Sequence, residues 1–99
     1  MIEIGIGHCW LTFDNGYTLS IFNGYGSYSE NNFNRELMDE MYIKKNIFIT
    51  AKSKNCEVAI LYDGMLVTSD YLNCNDSVKD NVSFDELLKI IDLVRNLKR

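Results

Sequence analysis

Residues 8–22 read HCWLTFDNGYTLSIF, and this stretch decides the fold. Two runs in which apolar and polar side chains largely alternate, 8–13 and 17–22, flank the turn residues Asp-Asn-Gly at 14–16. Alternation with a period of two predicts half-buried β-strands, and a glycine-containing turn between two such runs predicts a hairpin. The chain therefore has an antiparallel strand pair near its start.

The same alternation indicates how long the turn is. A two-residue loop would pair Phe13 with Thr18 and would mix polar with apolar side chains on both faces of the hairpin. A three-residue loop with Gly16 in the left-handed conformation pairs Phe13 with Tyr17 and makes one face uniformly apolar. We therefore predict the three-residue loop. The other apolar pairs of that register are Leu11 with Leu19 and Cys9 with Ile21.

The second face of this hairpin combines polar side chains with two large aromatic ones. Its residues in the predicted register are His8, Trp10, Thr12, Thr18, Ser20 and Phe22. Aromatic side chains are unfavourable in water unless something covers them, and Trp and Tyr are frequent anchors of protein interfaces. Two interpretations stay open: another part of the same chain covers this face, or a partner protein does.

A second hairpin is predicted around Asp63-Gly64, where a two-residue type I′ turn joins strands 57–62 and 65–68. Residues 47–51 are rich in β-branched and aromatic types, so we expect a further strand there that pairs with 57–62. Residues 71–81 read as a polar connection. These assignments give a sheet of about five strands.

The first residues, 2–6, also alternate, but the apolar phase shifts between Ile6 and Cys9. Such a shift indicates a bulge or a break near Gly5 or Gly7. The segment is therefore either a separate edge strand or the start of the first hairpin.

A C-terminal helix is predicted to start at Phe84. Ser83 and Glu86 have the spacing of a capping box, in which two side chains satisfy free backbone N–H groups of the first turn. The apolar stripe of this helix is wider than contact with one sheet requires. We therefore expect a symmetric dimer through part of the stripe. The residues expected at the dimer interface are Ile90, Leu93 and Leu97.

Residues 31–45 fit either a short helix or a loop, because Phe33, Leu37 and Met41 have helical spacing but follow a glycine-containing loop at 24–28. The elements together predict an α+β fold: an antiparallel sheet of about five strands built from two hairpins and packed by a C-terminal helix. Ninety-nine residues bury one core, so residues 1–99 form a single domain.

Composition excludes several classes of partner. The net charge of −4 does not supply the clustered Lys and Arg that direct nucleic-acid binding requires. No apolar run approaches the roughly 20 residues of a membrane span, and the first residues lack the basic region of a signal peptide. We expect a cytoplasmic protein that binds neither nucleic acid nor membrane.

The chemically reactive side chains do not form a recognisable site in the sequence. Cys9, Cys56 and Cys74 lack the CxxC spacing that places two zinc ligands together, so we expect reduced, structural thiols. His8 is the single histidine, and nothing in the sequence implies that it contacts a cysteine nucleophile. We expect no catalytic residue, no metal site and no cofactor.

The hairpin segment from Trp10 to Ser20 and the loop GYGSY at 24–28 are similar to a pattern in small, mostly uncharacterised proteins of phages and mobile elements. In those proteins an aromatic-rich N-G-Y-T-x-S hairpin precedes a glycine-containing loop, and residues 57–60 with Gly64 resemble their second hairpin. The resemblance implies a phage-encoded inhibitor of bacterial defence, such as an anti-CRISPR protein, in the cytoplasm of the host cell.

We therefore expect a non-enzymatic protein that binds a host defence protein and blocks it. Aromatic anchors would supply affinity, and the acidic balance would steer the protein to a basic target. The expected partner-binding residues are Trp10, Phe22, Tyr25, Tyr28, Glu36, Asp39 and Glu40. The alternative is an oligomeric sponge that sequesters a nucleotide immune signal, with Lys44, Lys45 or Lys52 binding its phosphates.

Overall fold

The computed structural model describes residues 1–5, 7–23 and 54–98. The architecture is α+β, an antiparallel sheet with a C-terminal helix, as predicted. The elements within the described ranges are β1 (Ile2–Gly5), β2 (His8–Thr12), β3 (Tyr17–Phe22), β4 (Asn55–Tyr62), β5 (Met65–Leu66), α1 (Thr68–Tyr71), β6 (Lys79–Ser83) and α2 (Phe84–Arg95).

The strands form one sheet in which every described pair is antiparallel. Five of them lie in the order β1-β2-β3-β4-β5, and β6 pairs with β4 as well. Because β3 occupies one edge of β4, β5 and β6 share its other edge at different positions. The predicted strand at 47–51 and the ambiguous segment 31–45 lie outside the described residues.

The predicted register of the first hairpin is confirmed. Leu11 lies opposite Leu19, and Cys9 lies opposite Ile21. The Phe13 N–H donates to the Tyr17 carbonyl at 2.9 Å across the three-residue loop. Gly16 has a φ of 90°, the left-handed conformation that glycine adopts without a steric penalty.

The second hairpin has the predicted two-residue loop but a much shorter second strand. Tyr62 lies opposite Met65, and both Asp63 and Gly64 have positive φ, at 52° and 77°, as a type I′ turn requires. The strand predicted over 65–68 ends after two residues, because the chain turns into the short helix α1 at Thr68.

The first strand is a separate edge strand that pairs antiparallel with β2. Gly5 lies opposite His8, so the chain reverses between them, and Gly7 has a φ of 69°. This reversal accounts for the shift of apolar phase in the sequence, because the alternation starts anew in β2. Ile2 lies opposite Leu11, so the two apolar side chains share a face. Of the two alternatives left open, the edge strand is correct.

Strand β6 begins within residues 71–81, the stretch that the sequence analysis assigned to a polar connection, and extends to Ser83. Only one of its side chains, Val82, is buried, and it is fully enclosed. Asn81 has a φ of 50°, and the register with β4 shifts between Cys56 and Val58. The bulge breaks the alternation on which strand prediction depends, which is why the sequence did not indicate β6.

Helix α2 begins at the predicted residue and closes the core. The Ser83 hydroxyl accepts a hydrogen bond from the Glu86 N–H at 3.2 Å, as an N-cap should. Ile90 and Val94 are 4% and 0% exposed and pack into the core formed by β3, β4 and β6. Each buried side chain of this size contributes about 1.5–3 kcal/mol to folding. The other members of this core are Tyr17, Leu19, Cys56, Val58, Ile60 and Val82.

The side chain of Asn15 in the first hairpin loop makes hydrogen bonds to the end of α2. The Asn15 Nδ2 group donates to the carbonyl oxygens of Val94 and Leu97, both at 2.8 Å. Its Oδ1 atom accepts from the Tyr17 N–H at 3.1 Å. Carbonyl groups in the last turn of a helix have no partner within the helix, so Asn15 acts as its C-terminal cap.

Thr68 connects strand β4 to the segment that precedes β6. It is 1% exposed, and its Oγ1 atom accepts from the Ile60 N–H at 2.9 Å and donates to the Ser77 carbonyl at 2.7 Å. The Val67 N–H donates to the Ile60 carbonyl at 2.8 Å. These bonds satisfy the backbone of Ile60 between the positions where β5 and β6 pair.

Replacement of Thr68 by valine should destabilise the fold. Thr68→Val keeps the shape of the side chain but leaves the Ile60 N–H and the Ser77 carbonyl without this partner, so we expect a loss of about 2 kcal/mol in the free energy of unfolding. Urea denaturation measures the change. Ser69→Ala, at an exposed neighbour, is the control and should stay within about 0.5 kcal/mol of the parent protein. A Thr68→Val protein as stable as the control would contradict the role given to the hydroxyl.

Candidate functional site

Three rings stack on the sheet face opposite to α2. His8 and Trp10 are alternate residues of β2, and their ring centroids lie 3.7 Å apart with planes 21° from parallel. Phe22, directly across on β3, also stacks with His8, at a centroid distance of 5.0 Å and an interplanar angle of 17°. All three are half-buried. We call these three residues the ring cluster.

A hydrogen bond links the imidazole of the ring cluster to strand β3. His8 Nε2 and Ser20 Oγ lie 2.7 Å apart. Ser20 pairs with Trp10 across the two strands, so it sits on the same face as the rings. The next pair along this face, Thr12 and Thr18, joins its two hydroxyl groups at 3.1 Å. Hydrogen bonds therefore satisfy polar groups beside the stacked rings.

Carboxylates border the ring cluster on both sides. Glu3 of β1 lies directly opposite Trp10, and Glu57 of β4 lies directly opposite Phe22. Residues paired in this way project from the same face of a sheet. Glu3 is exposed and Glu57 is half-buried. No Lys or Arg occurs in β1, β2 or β3, so the charges that these strands contribute are negative.

Burial lowers the pKa of His8 below its ordinary value of 6.5, because the partly enclosed ring loses hydration when it is charged. The imidazole is therefore neutral at pH 7. A neutral imidazole stacks on the indole and phenyl rings without adding positive charge to them. The ring cluster thus presents uncharged ring faces between two acidic side chains.

A second aromatic group lies on the core side of the sheet and has a structural role. Tyr17 is 4% exposed, contacts the ring of Tyr62 at a centroid distance of 4.5 Å and lies 2.7 Å from Tyr71 between hydroxyl oxygens. The bond to Tyr71, together with burial, raises the pKa of Tyr17 to about 12. This group connects α1 to the sheet.

The cysteines do not come together. Cys9, Cys56 and Cys74 are all free thiols, and Cys56 is buried in the core. Burial and the nearby carboxylate of Glu86 raise the pKa of the Cys56 thiol to about 11, which keeps it unreactive. In residues 1–5, 7–23 and 54–98, no group of three or more His, Cys, Asp or Glu side chains is arranged to hold a metal ion.

The predicted partner-binding residues divide into two sets. Trp10 and Phe22 belong to the ring cluster, where each stacks with His8. The others lie outside the described residues: Tyr25, Tyr28, Glu36, Asp39 and Glu40. The same holds for the lysines of the alternative function, Lys44, Lys45 and Lys52, so the nucleotide sponge stays a prediction.

The predicted dimer interface needs a correction at Ile90. This side chain is 4% exposed and belongs to the core of its own subunit, and Leu97 is half-buried against that core. Leu93, at 40% exposed, is accessible. Helix α2 packs on β6 as well as on β3 and β4, so the sheet accepts more of the wide apolar stripe than the sequence suggested.

Sequence reasoning placed His8, Trp10 and Phe22 on one face but missed the carboxylate of Glu57 beside them. The position of His8 opposite Phe22 follows from the predicted register, in which the two residues are paired. The position of Glu57 depends on the pairing of β3 with β4, and more than 30 residues separate these strands in the sequence. No local pattern indicates that pairing.

Comparisons with protein-family models, with curated proteins and with solved structures gave no match. Of the helices in the described ranges, the longer has twelve residues, and none has the length and apolar character needed to cross a membrane.

The lowered pKa of His8 should make the fold less stable in mild acid. The unfolded chain binds a proton near pH 6.5 and the folded chain only at lower pH, so this contribution to stability is present above about pH 6.5 and is lost as the pH falls below it. Urea denaturation across this range measures the loss.

His8→Gln is the matched variant for that experiment, because it removes the only histidine and keeps a side chain that can hydrogen-bond to Ser20. Its stability should change less between neutral pH and about pH 5.5 than that of the parent protein. An identical decrease in both proteins would show that other groups cause the pH dependence.

Proposed function

We propose that the protein is a non-enzymatic binding protein that docks its ring cluster on a basic surface of a partner protein. The observation that supports this most directly is the arrangement of three stacked rings between Glu3 and Glu57 on one sheet face. The resemblance to phage and mobile-element proteins supports the finer proposal that the partner is a bacterial defence protein of the CRISPR type, which binding blocks.

An arginine of the partner fits this surface best. A guanidinium group is planar and weakly hydrated, so it stacks on ring faces, with Trp the most favourable ring. The carboxylates of Glu3 and Glu57 lie on either side of the rings and would attract the same cation. Because burial lowers the pKa of His8, the ring cluster carries no positive charge at pH 7 that would repel it.

The long-range charge of the protein favours the same class of partner. The net charge of −4 steers approach to positive surfaces and disfavours approach to nucleic acid. Defence proteins that bind nucleic acid carry basic surfaces for that purpose. A protein that occupies such a surface competes with the nucleic acid without any chemistry of its own.

The hydrogen bond between His8 and Ser20 suits a positioning role better than a catalytic one. A serine nucleophile needs a base, a group that orients the base and donors for the oxyanion that forms. Ser20 lies within a regular strand, and the ring of its partner His8 stacks with both Trp10 and Phe22. In the proposed function, the bond keeps the imidazole parallel to the two other rings.

The first test removes the indole. Trp10→Ala should weaken partner binding by about 2 kcal/mol, the loss typical of a central aromatic anchor. Phe84→Ala is the matched control, since Phe84 is an aromatic residue that is 67% exposed at the start of α2. The tagged protein is incubated with lysates of bacteria that express a CRISPR-type defence, and captured proteins are identified and quantified by mass spectrometry. Calorimetry with the purified partner then measures the binding free energy of each variant. Equal capture by Trp10→Ala and by the parent protein would refute docking through the ring cluster.

The second test changes the charge beside the rings. Glu3→Lys should lower the association rate about tenfold at low salt and reduce its salt dependence, because the basic partner then meets a positive charge. Asp80→Lys makes the same change at an exposed position of β6 and is the control. If both variants associate equally fast, the association rate depends only on net charge, and Glu3 has no specific role.

The finer proposal is tested in cells. Bacteria with an active CRISPR-type defence are infected in the presence of the protein, and the efficiency of plaque formation is compared with that of cells without it. The parent protein and Phe84→Ala should restore phage growth, and Trp10→Ala should not. A protein that binds its partner through Trp10 but does not restore growth would disprove the defence target and leave the binding function standing.

A further inference from the structure

The loop that joins β2 to β3 contains a chemically labile dipeptide, Asn15-Gly16. In an Asn-Gly sequence the backbone nitrogen of glycine attacks the asparagine side-chain carbonyl carbon readily, because glycine has no side chain to hinder the approach. In most proteins such a change affects only a surface loop. Here the same amide holds the end of α2.

Hydrogen bonds occupy both reacting groups in the folded protein. The Asn15 Nδ2 group donates to the carbonyls of Val94 and Leu97 at 2.8 Å and contacts the Arg95 carbonyl at 3.3 Å. The Gly16 N–H donates to the Phe13 carbonyl at 3.0 Å. The attack therefore requires the helix end to separate from the loop and the Gly16 N–H to leave its acceptor.

We propose that Asn15 is a site of spontaneous deamidation whose rate is set by the opening of the α2 C-terminus, and that the reaction permanently releases this helix end from the sheet. The Gly16 nitrogen forms a bond to Asn15 Cγ, the bond from Cγ to Nδ2 breaks, and the amide leaves as ammonia with the proton from Gly16. Water then opens the resulting ring and gives Asp or isoaspartate at position 15.

The product reverses the interaction that Asn15 makes. A carboxylate has no hydrogen to donate, so its oxygens would face the carbonyl oxygens of Val94 and Leu97. The C-terminus of a helix carries a partial negative charge, which repels an anion. Isoaspartate also adds an atom to the backbone of the loop. The last turn of α2 then loses its side-chain cap, and Leu97, which packs against the core, loses the hydrogen bond from Asn15 to its carbonyl.

The first experiment measures the rate of amide loss at Asn15 by peptide mapping and mass spectrometry in mildly alkaline buffer at body temperature. Because only the opened state reacts, loss in native buffer should be more than about tenfold slower than in concentrated urea. Equal rates in the two buffers would overturn the gating by the fold.

A pair of variants tests whether the helix end is the gate. Leu97→Ala weakens packing next to the cap and should speed the reaction in native buffer without changing it in urea. Leu93→Ala is the matched control, since Leu93 lies one turn earlier and is 40% exposed. If Leu97→Ala reacts no faster than Leu93→Ala in native buffer, the end of α2 does not control the rate.

A second measurement follows the consequence for the helix. Protein modified at Asn15 is separated by ion exchange and distinguished by peptide mapping from protein modified at the second Asn-Gly pair, Asn23-Gly24. This protein and Asn15→Asp should both show faster hydrogen exchange at the Asn96 and Leu97 amides, which donate to Leu93 and Val94. Asn73→Asp makes the same change at an exposed residue and should leave this exchange unaltered. Unchanged exchange in the modified protein would disprove the release of the helix end.

Discussion

The three-residue length of the hairpin loop sets the register of β2 with β3, and this register determines which side chains of the two strands share a face. With Gly16 left-handed and Phe13 bonded to Tyr17, Leu11, Leu19 and Ile21 face the core that α2 closes. The same phase puts His8, Trp10 and Phe22 together on the other face. A loop shorter by one residue would place rings and core residues on common faces, so the core and the candidate site depend on one constraint.

The loop also connects the sheet to the helix, which makes its sequence serve two purposes. Gly16 adopts the positive φ that the turn requires, and the Asn15 side chain donates hydrogen bonds to carbonyl groups at the end of α2. The capped end of α2 and the Ser83 cap at its start enclose the apolar stretch that covers β3, β4 and β6. Local turn chemistry and long-range packing therefore support each other in this fold.

Sequence patterns were sufficient where the structure is local. The hairpin register, both turn types and the start of α2 follow from alternation, glycine positions and capping residues. Sequence patterns were insufficient where the structure depends on pairing between strands that are far apart in the chain. Strand β6 has one buried side chain and a bulge, and Glu57 reaches the ring cluster only through the register of β4 with β3. The error at Ile90 has the same origin, since an undetected strand widened the surface available to the helix.

The bonds of Thr68 and Val67 to Ile60 have a consequence for aggregation. Strand β4 is the longest strand in the described ranges and has the most buried side chains, and such an apolar segment with open backbone groups is a template for intermolecular pairing and fibril growth. Strand β3 covers one edge, while β5, β6 and the Thr68 hydroxyl cover the other. The short strand β5 and the bulged strand β6 thus shield the backbone of β4 from pairing with another molecule.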